Sequence, residues 1–467
     1  MGPKEKIPGK LLQEHHEDSL MSLSRKNRST PIQLKTFVGF KPQAVIGAIG
    51  ILISLIYMLL GYAEAMVPVC VAAIISLTIV QITGSRNNVY LLLLAIIIAY
   101  VNYSIIVYFY LASPPSSSNY LTYVGSQYAN VAIGILLLFL SITTFFFPRG
   151  GASISVRAIF TRRTNFNALI VIAVCAVLTY ILLFGYTPGE ALGERGQTST
   201  VYESATIFLL IGFYFSGDRR GAQLIMQAFA VALALEGLLF ADRIAPMQFL
   251  LCTYVVYYID RLPQNFTVCV LIGGILVLGF IGEDRVVDGS YSFSHFIDTW
   301  LDRKGAQSTF PAAYHASITF VAFKDITSIS QQLSLFWDFI VSQVIGTKQI
   351  ETGSLAAVTR EYYWHNYGGI YPFFFYYYLG IIGVALGSLL PGLYVRVVAK
   401  LEASTNPIIV VLSVFFLVTV FRWYVYSPTT LLRTAGQLAI LFGAAYLLHS
   451  MYQKSKQSRL RINGASD

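Results

Sequence analysis

Apolar runs, most of them roughly 16 to 26 residues long, recur from about Gln43 to His449, enough for a helix to cross a hydrocarbon core. Composition agrees, with 55% apolar and 12% charged residues and a mean hydropathy of +0.63, whereas a soluble domain has about a quarter of its residues charged. The pattern predicts an all-α polytopic integral membrane protein with about twelve transmembrane helices. Their expected limits are 43–62, 65–83, 88–112, 128–147, 168–186, 203–217, 221–241, 246–260, 265–282, 369–394, 406–421 and 434–450. The first forty residues are polar and charged and predict no cleavable signal peptide. Cys70, Cys175, Cys252 and Cys269 all fall in apolar runs without metal spacing, so they read as small packing residues.

Lys and Arg set the expected orientation. The segment 1–42, the 148–167 loop and the 451–467 tail are basic, and placing them in the cytoplasm puts 22 of the 32 basic residues inside and 10 outside. Both termini are then cytoplasmic. The net charge of +9 fixes topology and touches anionic lipid, and calls for no nucleic-acid partner. The 1–42 arm, poor in large apolar residues, reads as disordered. Expected divisions are this arm, spans one to nine over 43–282, a large extracytoplasmic loop at 283–369, spans ten to twelve over 370–450, and the tail.

The loop carries His295, His315 and His365, and titratable groups at a bilayer edge mark it for chemistry. Ser292 to Leu301 and Ser328 to Ile345 place apolar residues at helical spacing, predicting short amphipathic helices on the bilayer surface or capping a cavity. Residues 360–371 read Arg-Glu-Tyr-Tyr-Trp-His-Asn-Tyr-Gly-Gly-Ile-Tyr and run into an aromatic stretch and a span with Gly380, Gly383, Gly387 and Gly392. The crowd of aromatics here and at Trp423, Tyr424 and Tyr426 reads first as an interfacial belt, and second as a surface for stacking sugars.

This stretch resembles the oligosaccharide repeat-unit polymerases, the O-antigen polymerase family of bacterial envelopes. Their late external loop often ends in Glu-aromatic-x-x-Asn-aromatic-Gly-x-x-Gly before a Gly-rich helix. The matching residues are Glu361, Tyr362, Asn366, Tyr367 and Gly368; one extra residue separates Glu from Asn, and Tyr371 takes the place of the last Gly. The resemblance extends to the architecture of many spans with a large late loop. It implies a multi-span glycosyltransferase of the bacterial inner membrane. Such an enzyme moves a glycan from undecaprenyl pyrophosphate onto a lipid-linked acceptor repeat unit at the extracytoplasmic face, and admits a protein partner that regulates chain length.

That chemistry requires cations at the leaving pyrophosphate, and arginine suits phosphate by its bidentate fork. Arg422 and Arg433 lead the external arginines near span ends, followed by Arg360, Arg285 and Arg243, each of which also reads as an interfacial or locally paired charge. A general base is also needed, and His315, His365 and Glu361 are the candidates; Glu361 and His365, four apart, share a helix face. No cofactor or metal is expected, since the first external loop has only Glu64 and the Glu283, Asp284 and Asp288 cluster reads as solvated. Glu203 reads as favouring a helix N-terminus and Glu236 as a cavity residue or a partner of Arg243. The alternatives are the related O-antigen ligase, a flippase or secondary transporter, and a non-enzymatic envelope assembly protein.

Overall fold

The computed structural model describes residues 42–84, 88–110, 126–146, 156–187, 197–239, 242–263, 265–270, 273–274, 309–345, 355–363, 368–400, 406–428 and 431–463. The N-terminal arm, most of the expected ninth span and the first part of the large loop lie outside these residues, as do Arg285, His295, His365 and the acidic cluster.

The fold is helical, as the apolar runs dictate. Helices α1 (Pro42–Leu59), α2 (Val67–Gly84), α3 (Asn88–Tyr110), α4 (Ser126–Phe145), α5 (Val156–Phe160) and α6 (Ala168–Phe184) lead to a two-residue antiparallel ribbon, β1 (Tyr186–Thr187) with β2 (Gln197–Thr198). Then follow α7 (Thr200–Glu203), α8 (Ala205–Ser216), α9 (Arg220–Leu239) and α10 (Ile244–Thr253), the last continuing as a π-turn over Tyr254–Tyr258. The C-terminal part holds α11 (Thr309–Ile326), α12 (Ile329–Ile345), α13 (Leu355–Tyr362), α14 (Tyr371–Lys400), α15 (Pro407–Val418), α16 (Val420–Val425) and α17 (Leu431–Asn463). Among the described residues, 6 helical stretches are long and apolar enough to cross a membrane by length and composition alone: Pro42–Leu59, Glu64–Gly84, Gln127–Phe145, Arg220–Leu239, Tyr371–Tyr394 and Leu431–Ser455. Five shorter apolar helices, from Ile96–Ile106 to Pro407–Val418, fall where further spans are expected.

Helix α4 is the central post. It is the most buried of the long apolar helices and packs against α1, α2, α11 and α14. Some polar side chains inside the bundle bond between helices, which offsets the cost of burying them. The Gln81 amide donates to Thr144 Oγ1 at 2.6 Å, and the Asn102 amide to Thr78 Oγ1 at 3.0 Å.

The expected straight span at 369–394 is two limbs. Gly380 has φ 62° and ψ −143°, and there the chain doubles back. The Tyr371 hydroxyl donates to the Gly387 carbonyl at 3.1 Å, yet sixteen helical residues would separate the two by ~24 Å. Gly383 and Gly387 lie directly against Phe375 of the first limb, where no side chain would fit. The first limb, Tyr371 to Leu379, rises only ~13 Å and cannot cross a ~30 Å hydrocarbon core alone. Since that combination of φ and ψ strains any residue with a Cβ, Gly380→Ala is expected to destabilise the fold by about 1–3 kcal/mol, read as a lower Tm of the detergent-solubilised protein.

The loop helices pack along this first limb. Helix α11 runs parallel to it, with Phe320 on Phe374 (4.9 Å between centroids) and Phe323 stacked on Tyr377 (5.4 Å). Helix α12 runs the other way, with Phe336 on Tyr378 (5.6 Å) and Phe339 on Phe375 (5.9 Å). The stretch Ser328 to Ile345 is helical over Ile329–Ile345, as its periodicity predicts, and packs on α14 and α17. Just before the first limb, Gly368 to Ile370 is non-helical and buried, and its amides are satisfied: Gly369 N–H donates to the Val425 carbonyl (3.0 Å), Ile370 N–H to Ser317 Oγ (2.8 Å). Irregular backbone at such depth survives only when protein satisfies it in this way.

Five of the crowded aromatics belong to the core. Tyr371, Tyr377, Tyr378, Trp423 and Tyr424 are all buried, and Tyr371 contacts Phe139, Phe375, Trp423 and Tyr424. Large rings bury more apolar area than any other side chain, and here that gain holds two interrupted helices together.

Candidate functional site

Helices α7, α10, α15, α16 and α17 meet around a cavity of about 50 Å³ whose walls include Glu203, Gln248, Thr419, Arg422, Arg433 and Gln437. This is room for a few waters or one small anionic group, and no more without opening.

Glu203 is held by a short relay. Ser199 Oγ donates to the Gly185 carbonyl (2.6 Å) and accepts from Tyr202 N–H (3.1 Å), which fixes the single turn of α7. Tyr202 is fully buried against Tyr186 and Phe249, with its hydroxyl on the Leu233 carbonyl. Tyr202 thus points into the core, and the next residue, Glu203, projects into the cavity.

Arg422 reaches the same point from the far end of the chain. Apolar α15 ends at Thr419 (φ −94°, ψ 6°), whose hydroxyl turns back onto the Phe415 carbonyl, and the chain restarts as α16. Trp423 anchors that turn through Nε1 on the Phe416 carbonyl (3.0 Å) and ring contact with Phe416 and Tyr371. The Arg422 guanidinium then meets Glu203 with both nitrogens, Nη1 to Oε1 at 2.6 Å and Nη2 to Oε2 at 2.8 Å. Such a fork-to-fork pair is the strongest geometry open to these groups. With the two side chains 28% and 30% exposed, water still screens it.

Arg433 stands on the opposite wall, in the first turn of α17. It makes no hydrogen bond or ion pair with another described residue. Unpaired N–H groups make a helix start electropositive, so a cation there raises the local potential further. Gln248 adds a third feature. It is 2% exposed, its Oε1 accepts from Thr206 Oγ1 at 3.4 Å, and its Nε2 is a buried donor with no partner. A buried donor left unmade costs about 1–3 kcal/mol, which an incoming acceptor would recover. One paired arginine, one unpaired arginine and one orphan amide make an anion site with a single carboxylate in its wall.

The structure thus brings together Arg422 and Arg433, the two arginines favoured by sequence, and places Arg243 and Arg360 elsewhere, while Arg285 lies outside the described residues. Arg243 caps α10 five residues before Gln248, half-buried, but does not line the cavity. Arg360 and Glu361 lie on α13, the first half-buried and the second exposed, and neither reaches the cavity. His315 sits on α11 between buried Tyr314 and Ala316, also away from it. Glu236 does not pair with Arg243, and its Oε2 is buried with no hydrogen-bond partner. Sequence reasoning missed Glu203 and Gln248. Their only sequence signal was polarity at the edge of or within an apolar run.

Comparison with protein-family models, with curated proteins and with solved structures finds no match.

Proposed function

We propose that this protein is an integral membrane glycosyltransferase of the bacterial inner membrane. It polymerises undecaprenyl-pyrophosphate-linked oligosaccharide repeat units at the extracytoplasmic face. The observation that carries this reading is the convergence of Arg422, Arg433 and the orphan amide of Gln248 on one cavity that takes a small anionic group. A lipid pyrophosphate gains negative charge as it leaves, and fixed donors aimed at it stabilise the transition state more than the ground state. The resemblance around Glu361 to Gly368 supplies the glycan class.

In this reading Arg433 and Gln248 hold the pyrophosphate, and Arg422 turns to it as Glu203 is freed. The acceptor hydroxyl oxygen attacks the anomeric carbon, the carbon–oxygen bond to pyrophosphate breaks, and the Glu203 carboxylate takes the hydroxyl proton. Glu203 is preferred to His315 and Glu361 as the base because it alone is in the cavity wall among the described acids and histidines; His365 lies outside the described residues.

The test is complementation of a strain lacking its own polymerase, with surface glycan resolved by size. A ladder of repeats supports polymerisation. Polymer made but stranded on its lipid carrier would assign the protein as a ligase. No change in glycan would favour the second reading, a transporter of an anionic substrate, for which the interrupted helices at Gly380 and Thr419 are the supporting observation.

A further inference from the structure

Helix α12 is turned inside out. Ile329, Leu333, Trp337, Ile340 and Val344 recur at helical spacing and are all exposed, Trp337 at 66% and Val344 at 80%. Gln332, Ser342 and Gln343 are buried on the other side beside Leu335 and Phe339, and Asp338, next to Trp337, is half-buried. The donors of the three buried polar residues bond locally, while Gln343 Oε1 is buried without a partner among the described residues. Gln332 Nε2 donates to the Lys324 and Thr327 carbonyls, both at 3.1 Å, while Ser342 Oγ and Gln343 Nε2 donate to the Phe339 carbonyl at 2.6 and 3.1 Å. A helix between a protein core and water has the reverse arrangement.

The exposed polar residues of the segment keep to one end. Ser328, Ser330, Gln331 and Ser334 lie in or just before the first two turns, where the Ser328 and Gln331 side chains cap each other's backbone amides at 3.3 and 2.9 Å. Lys324 and exposed Asp325 sit beside this end, with Lys324 Nζ on the Tyr377 carbonyl at 3.1 Å. Beyond Ser334, every fully exposed side chain of the helix is apolar.

We propose that the outer face of α12 lies in the hydrocarbon layer against lipid acyl chains, so that α11 and α12 form a hairpin embedded in the membrane with its polar tip at the surface. The partner is lipid because both helices that α12 packs on also present large apolar residues outward. Helix α12 packs on α14 and α17, whose exposed residues include Ile381, Ile382 and Leu386, and Ile440, Leu447 and Leu448. Helix α17 is long and apolar enough to cross a bilayer. A water-facing face between two lipid-facing ones would leave a stripe of large apolar groups hydrated, with no gain to offset it. What the sequence reads as an aqueous loop then supplies part of the membrane-embedded wall.

Trp337 reports on this directly. The full chain is reconstituted in phosphatidylcholine vesicles carrying lipids brominated at successive acyl depths, and emission is compared with that of Trp337→Phe. The difference isolates Trp337 from Trp423, which is buried, and from the remaining tryptophans. The expected result is a blue-shifted component, mostly lost to acyl-brominated lipid and indifferent to aqueous iodide. Quenching by iodide instead would place α12 in water and overturn the proposal. Resistance to both quenchers would mean that another part of this chain or a second copy covers the face, which also overturns it. Because Trp337 points outward, its replacement leaves the packing on α14 intact; Ile340→Trp on the Trp337→Phe background should restore the lipid-quenched component, and its failure to do so would again count against the assignment.

Discussion

Arg433→Ala should lower glycan polymerisation by roughly 10²-fold or more at unchanged protein level, since removing one preorganised donor to a developing anion has about that effect. The reason lies in its isolation. Arg422 already holds a carboxylate, so the charge that attracts a second anion comes from Arg433, unpartnered among the described residues and set in the electropositive first turn of α17. Truncating it removes no contact within the described fold, so the Tm of the solubilised protein should stay where it is. Arg433→Lys keeps the charge but not the planar fork and should recover only part of the loss. Titration of the purified protein with inorganic pyrophosphate gives an independent readout, with weaker binding expected for Arg433→Ala. Full activity together with unaltered pyrophosphate binding would remove Arg433 from the site.

Much of this arrangement was visible in the chain, and what was hidden has identifiable causes. Run length placed the long apolar helices, because the hydrocarbon thickness leaves little freedom in how long a span can be. Arg422 and Arg433 stood out because cations near span ends are sparse and phosphate chemistry needs them. Glu203 did not, because its partner lies 219 residues away in sequence and no local pattern encodes such a pairing. Gln248 is neutral and looks like any polar residue in an apolar helix until its amide is found buried without an acceptor. The break at Gly380 was concealed by its company: four glycines in one apolar run read as packing residues, and Gly383 and Gly387 do serve close approach, but between two limbs of a folded-back helix. Helix α12 gave its periodicity away without saying which side faced the protein. A stripe of apolar side chains has the same period whether a core or a lipid lies beyond it.

Glu203→Gln separates two roles that the ion pair with Arg422 leaves superimposed. As the proton acceptor, Glu203 is needed for the attack of the acceptor hydroxyl, and general-base catalysis contributes about 10²- to 10⁴-fold. As a resting partner, it competes with the incoming anion for Arg422. The amide keeps the shape and can still accept a hydrogen bond from the guanidinium, but it carries no negative charge and takes no proton. Polymerisation should therefore fall by roughly 10²-fold or more while inorganic pyrophosphate binds at least as tightly as to the unaltered protein. Glu203→Asp, which keeps a carboxylate but shortens its reach, should retain part of the activity. A purely structural Glu203 gives the opposite pattern: the amide would weaken pyrophosphate binding and activity together, along with a lower Tm, because α7 and α16 would lose the link between them. That outcome would return the search for the base to the loop residues around Glu361. Loss of rate with binding preserved would fix the proton acceptor on a residue at the opening of the sixth apolar run, 158 residues before Glu361, to which the resemblance pointed.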